Sequence, residues 1–68
     1  MKPLIAHEVE EILAANGYEF RRMRGSHAIW YSAAKRHALP VPHHGSAPLP
    51  QGTLNSIFNS THLPKPKR

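Results

Sequence analysis

Ile5, Val9, Ile12 and Leu13 recur at i, i+4, i+7 and i+8, and Asn16-Gly17 closes the run. That spacing places four apolar side chains on one stripe of a helix, and Asn-Gly supplies the left-handed residues that end one. With Pro3 suited to a first helical position, the pattern predicts a helix over residues 3–15, with Glu8, Glu10 and Glu11 on its other side. A one-sided helix must bury its stripe against something else. With 68 residues and no cysteine, the chain has neither disulfides nor thiolate metal sites to replace that packing.

Beyond Gly17 the pattern becomes that of strands. Tyr18 to Arg24 shifts to a shorter period, with Tyr18 and Phe20 on one side and Glu19, Arg21 and Met23 on the other. Gly25-Ser26 breaks that run, and His27-Ala28-Ile29-Trp30-Tyr31 resumes as a second strand, so the two form an antiparallel hairpin. Period two puts His27, Ile29 and Tyr31 on one face, and Ala28 and Trp30 on the other. Residues 37–42 make a third strand, and Pro40, which cannot donate to a ladder, predicts an edge position. Residues 43–50 are a proline-rich loop. Leu54, Ile57, Phe58 and Thr61 then mark a second helix that begins near Pro50 and ends before Pro64. The order is α-β-β-β-α, an α+β fold with both helices on one face of a three-stranded antiparallel sheet. Residues 1–63 form one domain, and residues 64–68 are a basic tail expected to be disordered.

Charge is polarised along the chain. Nine Lys and Arg stand against four Glu, for a net charge of +5, and every Glu lies within the first nineteen residues. From Phe20 onward there are eight basic side chains and no acidic one. A surface of one sign suits a polyanion, most simply nucleic acid, although a solvated basic face has the same composition. The basic part offers no carboxylates to hold Mg²⁺, which argues against a metal-dependent nuclease. No Asp occurs at all, so a Ser-His-Asp triad is excluded. No apolar run reaches the length of a membrane span, and the chain is expected to work in the cytoplasm without a membrane or a small-molecule cofactor.

Within this basic stretch, Arg24-Gly25-Ser26-His27 groups an imidazole with a turn and, counting Arg21 and Arg22, three arginines. From the residues alone, His27 reads equally as a catalytic group and as a strand histidine bonded to a carbonyl at the turn. Paired His43 and His44, with His37 and His62, raise a zinc hypothesis. It is disfavoured because adjacent loop histidines rarely converge on one ion and no cysteine or carboxylate anchor accompanies them.

Four segments in order carry a resemblance: Asn16-Gly17-Tyr18 after the first helix, the basic strand into Gly25-Ser26-His27, Val41-Pro42-His43-His44, and Gly52-Thr53-Leu54-Asn55-Ser56-Ile57 opening the last helix. Together they resemble the HicA family of toxin–antitoxin systems over nearly the whole chain up to Leu63. One departure is Pro40, where a regular strand residue is more usual. The resemblance implies a double-stranded-RNA-binding-domain-like fold, a messenger-RNA-cleaving endoribonuclease with His27 catalytic, and inhibition by a HicB-type antitoxin that covers the His27 face. RNA carries its own 2′-hydroxyl nucleophile, so an imidazole for proton transfer and cations for the phosphate suffice. Arg21, Arg22, Arg24, Ser26, Lys35 and His44 are the expected RNA or phosphate contacts, with Ser26 acting from the turn and His44 or His43 as a candidate second proton-transfer group. Two alternatives are a non-catalytic RNA-binding module of the same fold and a pure protein-interaction subunit.

Overall fold

In the computed structural model, which describes residues 3–66, helix α1 spans Ala6–Ala15. Pro3 therefore lies ahead of the helix and Ile5 is its N-cap residue, with the Ile5 N–H donating to the Glu8 carboxylate at 3.0 Å. That bond satisfies a donor the first turn would otherwise leave unpaired, which is why the helix begins later than Pro3 suggests. Its far end closes as the Asn-Gly pair predicts: the Asn16 N–H donates to the Leu13 carbonyl, and Gly17 takes φ +88°. Val9 and Leu13 are wholly buried. One side chain departs from the expected outward face, because Glu10 is also buried, at 9% exposed. Bonds to Trp30 and His43 hold it there.

Three strands complete the sheet: β1 at Glu19–Arg24, β2 at His27–Ser32 and β3 at His37–Pro42. They are antiparallel and lie in the order β1-β2-β3. Pro40 does not interrupt β3, which pairs with β2 over all six residues. Since proline has no N–H, Pro40 and Pro42 fit such a ladder only with their nitrogens turned outward, so β3 is tolerated as an edge strand. In β1 the simple alternation fails. Phe20 pairs with Trp30 and Arg22 with Ile29, leaving Arg21 as the extra residue of a β-bulge. Directly opposed residues share a face, so the bulge places Arg22 with Ile29 and Arg24 with His27, while Phe20 and Met23 side with Trp30 and Ala28. Period two alone puts Arg22 and Arg24 with Phe20, and the bulge reverses that.

Ala28, Leu39 and Val41 point from the sheet into a single core that takes in Leu4, Val9, Leu13, Tyr18, Leu49, Leu54, Ile57 and Phe58, with Trp30 packed against it. Each fully buried leucine or valine there contributes roughly 1.5–3 kcal/mol. Helix α2, Gln51–Thr61, supplies three of those residues despite weak formers such as Gly52, Asn55 and Asn59, so packing holds it in place. It ends on His62, a left-handed C-cap at φ +59°, before Pro64 is reached. The proline-rich loop is tied down by an Ile5–Pro48 bridge and by the Leu49 N–H donating to the Leu4 carbonyl at 2.8 Å. The expected disordered tail falls partly outside the described residues, at Lys67 and Arg68; within it, the Lys65 ammonium donates to the Asn55 side-chain oxygen at 3.2 Å.

A basic sheet face carrying His27

Both helices contribute to the core on one side of the sheet, which leaves the other side uncovered. On that open face lie Glu19, Arg22 and Arg24 from β1, His27, Ile29 and Tyr31 from β2, and Ala38, Pro40 and Pro42 from β3. Arg22, Arg24, His27, Ile29 and Pro40 line an open depression of about 410 Å³. Ile29 and Pro40 are apolar members of that lining, beside the guanidinium and imidazole groups. Among the described residues, no arginine comes within 4.0 Å of a carboxylate, so the guanidinium charges of this face are not neutralised internally.

The turn that presents His27 is fixed from two sides. Gly25 takes φ +61°, a conformation that L side chains rarely adopt, which is the reason a glycine sits between the strands. The Ser26 carbonyl accepts the His43 N–H at 2.8 Å, joining the turn to the segment that leaves β3. His27 begins β2 opposite Arg24 on one side and Pro42 on the other. Its side chain is exposed, and the imidazole makes no hydrogen bond to another described residue.

Beneath the sheet, one carboxylate oxygen of Glu10 accepts from Trp30 Nε1 at 2.8 Å and lies 2.8 Å from His43 Nε2. This explains the burial of Glu10: two polar partners replace the water it loses. The arrangement links α1, β2 and the loop whose backbone holds the Ser26 turn. Neither Glu10 nor Trp30 stands out in the sequence as part of a site, because twenty residues separate them. No signal short of the folded structure joins them.

The expected RNA contacts do not all come together. Arg22 and Arg24 flank the depression with His27. Arg21 shares the face but lies toward its other end, with its guanidinium 4.2 Å from the centroid of the Tyr31 ring. That contact covers one face of the Tyr31 ring. Ser26 is exposed in the turn, and exposed His44 comes two residues after Pro42, near the same end of the sheet as His27. Lys35 is the exception. It lies in the β2–β3 turn, at the other end of β2 from His27, and its Nζ donates to the Thr61 carbonyl at 2.7 Å, at the C-terminus of α2. The five residue steps from His27 to Ser32 alone span roughly 17 Å. A cation there satisfies the last carbonyls of a helix and its dipole, which corrects its placement beside the arginines.

Nor do the histidines gather. His37 Nδ1 is bonded to the Tyr18 hydroxyl at 2.8 Å and His43 to Glu10, and among the described residues no three His, Asp or Glu side chains come together as a metal site. No helix among the described residues is long and apolar enough to cross a membrane.

The fold and this face define a class: small α+β domains in which two helices back a three-stranded sheet whose opposite face, basic and bearing an accessible histidine, is left uncovered. Within that class the assignment is specific. The model of the HicA toxin of bacterial toxin–antitoxin systems matches residues 6–63, and the chain belongs to that family. It is thus the toxin of a toxin–antitoxin pair, with a cognate antitoxin as partner. No curated protein and no solved structure matches the chain.

Proposed function

We propose that this toxin is an endoribonuclease that cleaves messenger RNA without a metal ion, with His27 as the general acid or base. The observation that carries the reading is the position of His27 beside Arg22 and Arg24 on the uncovered sheet face. In this reading a phosphate of single-stranded RNA lies against the two guanidinium groups, which neutralise charge developing on its oxygens. The neighbouring ribose 2′-oxygen attacks phosphorus as it loses its proton, and the bond to the 5′-oxygen breaks as that oxygen gains one. The products are a 2′,3′-cyclic phosphate and a 5′-hydroxyl. An imidazole can serve at either proton transfer near neutral pH. The carboxylates are poorly placed to hold a catalytic cation: Glu8, Glu10 and Glu11 are on α1, Glu10 is already bonded beneath the sheet, and Glu19, though on the open face, pairs with Tyr31 at the end of the hairpin away from His27.

The HicB-type antitoxin, on this reading, inhibits by covering the His27 face, since the same arginines that attract RNA attract an acidic protein. The test is cleavage of a defined RNA by purified protein with and without a chelator, beside the His27→Ala variant. Cleavage that survives the chelator and disappears in the variant supports the assignment. Unchanged cleavage by the variant removes it.

A further inference from the structure

Every residue of β1 is exposed, although the strand is paired with β2. The helix layer stops short of it. Phe20 and Met23 lie on the helix side of the sheet yet remain 52% and 49% exposed. On the other face β1 carries Arg22 and Arg24, with Arg21 in the bulge over Tyr31 and a single carboxylate, Glu19, at its start. The strand is thus an edge with one apolar and one cationic face.

The two edges of the sheet differ in what they can accept. On β3, the outward-facing backbone positions are Ala38, Pro40 and Pro42, and of these only Ala38 has an N–H to donate. Such an edge resists strand addition. No proline occurs in β1, so its outer edge keeps its donors as well as its acceptors.

We infer that β1 is where a strand of the cognate antitoxin adds to this sheet. The inference rests on the toxin–antitoxin reading and goes beyond occlusion of the His27 face. The added segment alternates apolar residues, which cover Phe20 and Met23, with acidic residues, which meet the arginines. A second copy of this chain is the weaker occupant, because each β1 brings three arginines against one glutamate, Glu19, and two such edges together keep a net positive charge. RNA matches the cationic face but has no strand backbone to complete the ladder and no aliphatic side chains for Phe20 and Met23.

The experiment uses the full chain and the antitoxin encoded with it, purified separately. Backbone hydrogen exchange is followed in each free protein and in the complex, and affinity is measured by calorimetry for wild type, Met23→Ser and Phe20→Ser/Met23→Ser. Met23→Ser is the cleaner single change, because Phe20 also packs edge-on against Trp30 at 6.0 Å. Thermal melting verifies that each variant is folded, and RNA cleavage is assayed separately, so a failed ribonuclease assignment is seen apart from a failed interface. The expected result is slowed exchange at the outward-facing amides of Phe20 and Met23 in the complex, with affinity about tenfold lower in Met23→Ser and RNA cleavage unchanged. Unchanged exchange in β1, or wild-type affinity in the folded variants, overturns the proposal. So does a dimer of the free chain that the substitutions dissociate, or a loss of RNA binding with antitoxin affinity intact.

Discussion

Arg24 faces His27 directly across the first two strands, the pair closing a two-residue turn. A cation and an imidazole are thereby held side by side by backbone pairing, without a bond between their side chains. Arg24→Ala is expected to lower RNA cleavage about 10²–10³-fold, the usual cost of removing one donor that stabilises transition-state charge. Arg24→Lys restores part of the loss, since it keeps the charge but not the two-pronged geometry. A colorimetric or gel assay at saturating RNA separates this effect from weaker binding.

Glu10 tests the support beneath the sheet. Glu10→Ala leaves the Trp30 indole N–H and the His43 imidazole without their shared acceptor; because both partners are only part-buried, the expected cost is about 1 kcal/mol, the low end for an unpaired polar group. Denaturant unfolding followed by Trp30 fluorescence measures it. Glu10→Gln keeps one acceptor oxygen and is expected to lose less. A Glu10→Ala variant as stable as wild type contradicts the role assigned to the carboxylate.

Lys35 and Arg22 separate structural from RNA-contacting cations. Lys35→Ala removes the ammonium that meets the Thr61 carbonyl and is expected to lower stability by about 0.5–1.5 kcal/mol while leaving RNA affinity unchanged. Arg22→Ala is expected to do the reverse, weakening RNA binding and reducing the salt dependence of log K by roughly 0.7, the single-strand value per phosphate contact. Binding titrations at several salt concentrations measure both.

These cases also mark what the sequence alone makes legible. The stripe from Val9 to Leu13, the Asn16-Gly17 stop and the hairpin about Gly25 are local patterns, and they predict the element order and both helices on one face. Period two also places His27 and Tyr31 together, opposite Ala28 and Trp30, as the register has them. The bulge at Arg21 is not local in this sense: no residue type announces it, yet it decides which face Arg22 and Arg24 occupy. The same is true of Glu10 and Lys35. In the sequence Glu10 looks like a solvated charge and Lys35 like a phosphate contact, and each is engaged by a partner twenty or more residues away.

Burial raises the Tyr18 hydroxyl above its ordinary pKa of 10.0, and that hydroxyl is bonded to His37 Nδ1. Because the folded value exceeds the unfolded one, the stabilisation is fully present below about pH 10 and is lost as pH rises through the folded value. Tyr18→Phe is expected to abolish this alkaline component of the stability profile. Denaturation midpoints from pH 7 to 11 in both proteins supply the measurement, and identical alkaline slopes contradict the assignment.

Catalysis by His27 is tested by the rate of cleavage of a defined messenger RNA by purified wild type and His27→Ala, with RNA affinity and thermal stability recorded for each. If His27 moves the proton, the variant folds, binds RNA with most of its affinity and does not cut it. A folded His27→Ala protein that cleaves at the wild-type rate rules out a catalytic His27.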